Sequence, residues 1–154
     1  MMAPRVGIGD DSHRFAEGRR LVLGGVEIEH DLGLEGHSDA DVLTHAVIDA
    51  VLGAAGLGDI GGVFPDSEER WRDADSIDML RTTLGQVPGR VLNVDATVIC
   101  EEPQIGPHRV EMERLLGEVL SARVSVKATS NEGMGFVGRG EGVACIAVAA
   151  LESD

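Results

Sequence analysis

The sequence predicts an α/β (α+β) fold: a single domain whose mixed β-sheet is covered by helices on one face. Three observations predict it. Strand-patterned and helix-patterned runs alternate along the chain, two of the helical runs carry a clear apolar stripe, and no repeat, low-complexity segment or linker interrupts the 154 residues. That length is ordinary for one domain, so residues 1–154 read as a single unit.

The elements follow in order. Arg5 to Ser12 alternates loosely between glycines and reads as a strand. Leu21–Leu23 and Val26–Ile28 flank Gly24-Gly25, the signature of a tight hairpin. Ser38 followed by Asp41 resembles a capping box, and Val42, Ala46, Val47, Ala50, Val51 and Ala54 have helical spacing, which predicts a helix from Ala40 to Ala55. Ile77, Leu80 and Leu84 predict a second helix from about Ser76 to Gln86, stopped by Pro88-Gly89. A strand from Val91 to Cys100 comes next. Pro107 suits the first turn of a third helix with Met112, Leu115, Leu116, Val119 and Leu120 on one stripe. Val124 to Ala128 and Val143 to Leu151 complete the strands.

Composition narrows the function classes. With 43% hydrophobic residues the chain can build a core, and 13 basic against 27 acidic residues give a net charge of −14. Without a basic run, this argues against nucleic acid and anionic membrane surfaces as partners. The longest apolar run, Val143 to Leu151, is nine residues, far short of the roughly 20 that span a bilayer. The N-terminus lacks the charged and apolar regions of a signal peptide, so a cytoplasmic protein is expected. Cys100 and Cys145 lie in apolar runs without CxxC spacing and read as buried thiols.

Five polar clusters can carry chemistry. Asp11 and His13 sit two apart on a strand and therefore share a face. The segment His37-Ser38-Asp39-Ala40-Asp41-Val42-Leu43-Thr44-His45 gathers two imidazoles and two more carboxylates at a helix start. His45 falls about two turns in, with Asp41 and Asp49 one turn to either side, as suits a ligand whose second ring nitrogen a carboxylate orients. With Asp11 and His13 it completes an Asp/His/His zinc set with an open fourth position; a solvated acidic helix start would satisfy the same pattern. Between Lys127 and Gly142, hydroxyls, Glu132 and alternating glycines can cradle phosphate oxygens or hold a hard cation, or simply turn between two strands, with Arg139 pairing Glu141. Finally, Asp59 to Asp66 has the look of a mobile loop whose carboxylates can bind sugar hydroxyls, and Glu102 to Pro107 of a rigid turn able to read a base edge.

Taken together, GIGDDSHRF, GHSDADVLTHAVIDAVLGAAGLGDIG, VFPD, NVDATVICEEPQIGPH and KATSNEGMGFVGRGEG occur in the order and spacing of the 2-C-methyl-D-erythritol 2,4-cyclodiphosphate synthase family of the non-mevalonate isoprenoid pathway. The resemblance spans Val6 to Leu151, and no signal of a fused cytidylyltransferase accompanies it. It implies a homotrimer with the sheets packed around a threefold axis and active sites between neighbouring subunits. The implied reaction converts 4-diphosphocytidyl-2-C-methyl-D-erythritol 2-phosphate to the cyclic diphosphate with release of CMP, a phosphorus–oxygen lyase activity. By resemblance, Asp11, His13 and His45 bind zinc, and Glu132 holds magnesium or manganese. His37 and Ser130 stabilise the transition state, with Ser38 near the 2-phosphate. Asp59, Gly61, Phe64 and Asp66 belong to the substrate loop, while Cys100, Pro103, Ile105, Gly106 and Thr129 form the cytidine pocket. Phe136 and Arg139 match a central-cavity ligand site.

Two positions depart from the family pattern. Gln104 replaces a frequent lysine, and Asp10 stands where many relatives have an aromatic residue, so three carboxylates near the axis would oppose an isoprenoid diphosphate there. A zinc phosphohydrolase and a non-catalytic acidic metal-binding trimer are the alternative readings of the same ligands.

Overall fold

The computed structural model describes residues 3–153; Met1, Met2 and Asp154, the ends of the expected 1–154 domain, lie outside the described residues. Among the described residues the strands are β1 (Arg5–Ala16), β2 (Leu21–Leu23), β3 (Val26–Ile28), β4 (Gly33–Leu34), β5 (Arg90–Ile99), β6 (Arg123–Thr129) and β7 (Gly142–Glu152). The helices are α1 (Val42–Ala55), α2 (Ile60–Val63), α3 (Ser76–Leu84), α4 (Arg109–Leu120) and α5 (Gly135–Gly138). None of them is long and apolar enough to cross a membrane.

Five strands form one mixed sheet in the order β4-β1-β7-β5-β6, and β2 pairs with β3 in a separate hairpin. β7 runs antiparallel to both β1 and β5, with Arg5 opposite Leu151 and Val91 opposite Leu151, whereas β5 and β6 are parallel. This is the mixed single-domain architecture the sequence predicts. Alternate residues of the strands, among them Val94, Ala96, Val98, Val126, Cys145, Ala147 and Ala149, are buried under α1, α3 and α4, joined there by Leu43, Val47, Leu80, Met112 and Leu116. The opposite face is left exposed along β1 and β7. Val6 and Ile8 on β1 are 67% and 70% exposed, and Ile146 and Val148 on β7 share that surface. Both cysteines are buried and free, as expected.

Two corrections concern boundaries that matter to the site. α1 begins at Val42 and its cap is Asp41, not Ser38: the Asp41 carboxylate accepts from the Thr44 amide. Ala40 has a φ of +58°, so the chain enters the helix from a left-handed residue and the first turn cannot extend back to Ser38. His45 is consequently one turn into the helix, not two. Pro107 lies in a separate 3-10 turn, Gly106–His108, that precedes α4.

Asp41 does more than cap. Its two oxygens also accept from Gly24 and Gly25 at 2.9 Å each, so one buried carboxylate joins the α1 N-terminus to the β2–β3 hairpin turn. Both glycines have positive φ, as that turn requires.

Candidate metal centre and its two cavities

Strand alternation turns Asp11 and His13 toward α1, and His45 meets them from the first turn of that helix. His13 Nε2 lies 2.9 Å from Asp11 Oδ2, His45 Nδ1 lies 3.2 Å from the same oxygen, and the two nitrogens are 3.3 Å apart. Ligand atoms bound tetrahedrally to zinc at about 2.0–2.1 Å stand about 3.3 Å from one another, so this triangle has the size of one ion's coordination edge. Asp11 Oδ2 is buried and has no hydrogen-bond partner. Among the described residues these three form the one group of His, Cys, Asp or Glu side chains placed to share a metal ion.

The electrostatics agree with the geometry. Burial pushes the Asp11 carboxyl up, but His13 and His45 outweigh it and hold the group below the usual carboxylate range. Burial likewise works against the charged form of His13, and Asp11 reverses it, so the imidazole ends above its ordinary value.

The far side of each ring is also engaged. His13 Nδ1 donates to the Glu35 carbonyl at 2.8 Å, which leaves Nε2 as the bare nitrogen facing Asp11. His45 Nε2 lies 2.8 Å from the Ser76 hydroxyl and 3.1 Å from that of Ser38. Neither Asp41 nor Asp49 orients His45, contrary to the expectation from helical spacing. Asp41 is consumed by the cap and the hairpin, and Asp49 accepts from the Ile60 amide at 2.7 Å. Arg19 pins the segment between these groups, donating to the Leu34 carbonyl at 2.9 Å and the Ser38 carbonyl at 2.7 Å.

Above the three ligands opens a cavity of about 240 Å3 lined by His37, Ser38, Gly61, Phe64 and Asp66 together with Ile60, Trp71 and Met79. Of the loop residues expected here, Asp59 is not in the lining; its carboxylate caps α2 by accepting from the Gly62 amide. His37 Nε2 donates to the Glu68 carbonyl at 3.1 Å, leaving Nδ1 as its remaining polar atom. Trp71 stacks edge-on against Phe64 with centroids 4.7 Å apart, and its indole nitrogen is buried without a partner.

Cys100, Pro103, Ile105, Gly106, Thr129 and Ser130 do come together, but in a second cavity of about 280 Å3 that Glu101 and Gln104 also line. It lies between the ends of β5 and β6, two to three strand spacings from β1, or roughly 10–14 Å across the sheet. Within one chain Glu132 is not part of the Asp11/His13/His45 group. It sits in the left-handed region in a loop whose amides at Asn131 and Gly133 both donate to Glu101 Oε1. Phe136 borders a shallow pocket with Ser12 and His13, and Arg139 pairs with Glu141 at 2.6 Å. Ser76, Trp71, Glu101 and Arg19 are the residues sequence reasoning did not single out.

Against this geometry stand the comparisons with known proteins. The YgbB family model matches residues 4–152. The chain belongs to the YgbB family. A YgbB relative, the 2-C-methyl-D-erythritol 2,4-cyclodiphosphate synthase of Rubrobacter xylanophilus, is 58% identical over 96% of this chain and 94% of its own length. The structure of the bifunctional IspDF from Campylobacter jejuni superposes with a TM-score of 0.95 at 36% identity; it covers all of this chain, which spans 43% of that longer one. A cyclodiphosphate synthase structure in a CDP-bound form matches 96% of this chain and all of its own, with a TM-score of 0.87 and 36% identity. The family's enzymes are cyclodiphosphate synthases, and the YgbB fold is the mixed sheet described above.

Proposed function

We propose that this chain converts 4-diphosphocytidyl-2-C-methyl-D-erythritol 2-phosphate into 2-C-methyl-D-erythritol 2,4-cyclodiphosphate and CMP, as a phosphorus–oxygen lyase of the non-mevalonate pathway. The observation that carries this reading is the convergence of Asp11 Oδ2, His13 Nε2 and His45 Nδ1 on one point at the floor of a cavity, in a chain 58% identical to a cyclodiphosphate synthase. The acidic surface, with net charge −14, accords with a protein that meets an anionic substrate through cations.

Asp11, His13 and His45 would hold zinc, and Glu132 a magnesium or manganese ion. When bound, these ions supply Lewis acidity toward the diphosphate and a template that brings the substrate's 2-phosphate to the β-phosphorus. The chain's own residues bind and orient. Ser38 and His37 face the 2-phosphate, Ser130 donates to the diphosphate, and Gly61, Phe64 and Asp66 enclose the erythritol, with Asp59 shaping the loop as the α2 cap. Cys100, Pro103, Ile105, Gly106 and Thr129 take the cytosine mainly through backbone groups, which tolerates Gln104. The attacking group is the substrate's own phosphate, so no protein nucleophile is required and positioning carries the rate.

Residues 1–154 act as one domain, and three copies form a cytoplasmic homotrimer in which the metal cavity of one subunit meets the nucleotide cavity of the next. The separation of the two cavities on a single chain and the bare apolar face at Val6, Ile8, Ile146 and Val148 support this assembly. Phosphorus NMR of the protein with substrate, zinc and magnesium tests the reading. Cyclic diphosphate with CMP is expected; CMP with the acyclic 2,4-bisphosphate, which has no phosphorus–oxygen–phosphorus bond, would make the chain a phosphohydrolase.

A further inference from the structure

Ser76, the first residue of α3, is wholly buried, and its hydroxyl lies between Asp39 and His45. We propose that Asp39 and Ser76 are positioning residues for His45: they hold its ring as the Nε2–H tautomer and thereby present a bare Nδ1 beside Asp11 and His13.

The direction of each proton follows from what Asp39 can do. An ionised carboxylate only accepts, and Asp39 is surrounded by donors: Oδ1 takes the Ser76 hydroxyl and the Asp41 amide at 3.1 Å, while Oδ2 takes the Ser76 amide at 3.0 Å. The Ser76 proton is thus committed to Asp39. Toward His45, 2.8 Å away, the Ser76 oxygen can only accept, so Nε2 must carry the hydrogen. A neutral imidazole has one N–H, which leaves Nδ1 with its lone pair exposed.

The arrangement has a further effect on Ser38. With Nε2–H given to the nearer Ser76 oxygen, the Ser38 hydroxyl proton is free for an anionic ligand in the cavity that Ser38 lines.

The consequence for metal affinity rests on the zinc reading above, whereas the tautomer is a property of the metal-free chain. Two-bond proton–nitrogen NMR of the metal-free protein, well above the ordinary histidine titration range, reads the tautomer directly. The Nε2–H form is expected for His45; an Nδ1–H ring would overturn the proposal without recourse to any variant. Ser76→Ala removes the acceptor tied to Asp39, and Asp39→Asn places an NH2 against one of three donors. Both are expected to shift His45 toward Nδ1–H and to weaken zinc 10- to 100-fold in competition with a chromophoric chelator. Ser76→Thr, which keeps the hydroxyl, should restore both readouts. Unchanged tautomer and zinc affinity in a folded Ser76→Ala protein would refute the positioning role. A wild-type chain with the Nε2–H ring that takes up no zinc would overturn the metal reading and leave the tautomer assignment standing.

Discussion

A side chain on Gly9 of β1 would overlap the main-chain carbonyl oxygen of Ala46 in α1. Gly7 stands in the same relation to Ala50, one helical turn further along. The two glycines let α1 lie directly on the strand backbone, and that contact brings His45 over Asp11 and His13. Gly9→Ala must push the helix away, at a cost of about 3 kcal/mol. A lowered urea midpoint together with lost zinc binding is expected. An unchanged midpoint would mean that the helix has room to yield.

His45→Ala separates ligation from folding. Its imidazole packs at the floor of the cavity with no role in the sheet, so stability should fall by no more than about 2 kcal/mol. Metal analysis after dialysis against zinc should show the bound ion lost while far-UV circular dichroism stays that of the parent. Full zinc retention would remove His45 from the ligand set.

Acid should release the metal early. Ligating histidines must be neutral, and Asp11 holds His13 above its ordinary value, so protons compete for His13 already above a pH of about 6.5. Zinc affinity is therefore expected to decline as pH falls, with its midpoint on the alkaline side of a free histidine. In the metal-free chain the His13 contribution to stability is full below its unfolded pKa and lost as pH rises through the raised folded value. Asp11, held low, behaves oppositely: its contribution is present above the unfolded carboxylate pKa and lost as pH falls through the lowered one. Chelator competition across pH checks the first claim, and denaturation of the metal-free protein the second.

Local pattern revealed much of this site and missed what tertiary packing alone decides. Asp11 and His13 were legible because strand alternation places residues two apart on one face, and the Gly24-Gly25 turn because its backbone requires glycine. His45 was legible on a helix, but its partners were not. Helical spacing nominated Asp41 and Asp49, yet the nearer of the two hydroxyls that meet its ring comes from Ser76, 31 residues away on α3. Nothing periodic in the sequence announces where α3 docks. The same holds for Trp71, brought to the cavity by its contact with Phe64, and for the helix onset, set by the left-handed Ala40.

The uncovered sheet face should govern assembly and turnover together. Ile8 is 70% exposed beside Val6, Ile146 and Val148, and an apolar patch of this kind marks a protein interface. Ile8→Asp is expected to convert a trimer into monomers in sedimentation velocity. Because the three proposed zinc ligands all come from one chain, such monomers should still bind zinc, whereas cyclisation should be lost with the proposed neighbouring nucleotide cavity. A monomeric variant with full turnover would show that one chain holds a complete site.

Glu101 offers a test of the second cation that leaves the first untouched. Its Oε1 accepts from the Asn131 amide at 2.7 Å and the Gly133 amide at 3.4 Å, bracketing Glu132, whose φ of +53° is one that an acidic side chain adopts only when its surroundings impose it. The carboxylate also borders the cavity assigned to cytidine, so it ties the proposed nucleotide pocket to the proposed magnesium ligand. Glu101→Ala frees the loop, and the manganese or magnesium concentration for half-maximal turnover should rise by roughly tenfold. Glu101→Gln keeps a carbonyl acceptor and should recover most of that loss. Zinc content should be the same in all three proteins, because Glu101 touches none of its ligands. Equal cation dependence in Glu101→Ala would show that Glu132 is held in place without Glu101 or is not the residue that binds the second ion, and Glu132→Gln assayed beside it tells the two apart.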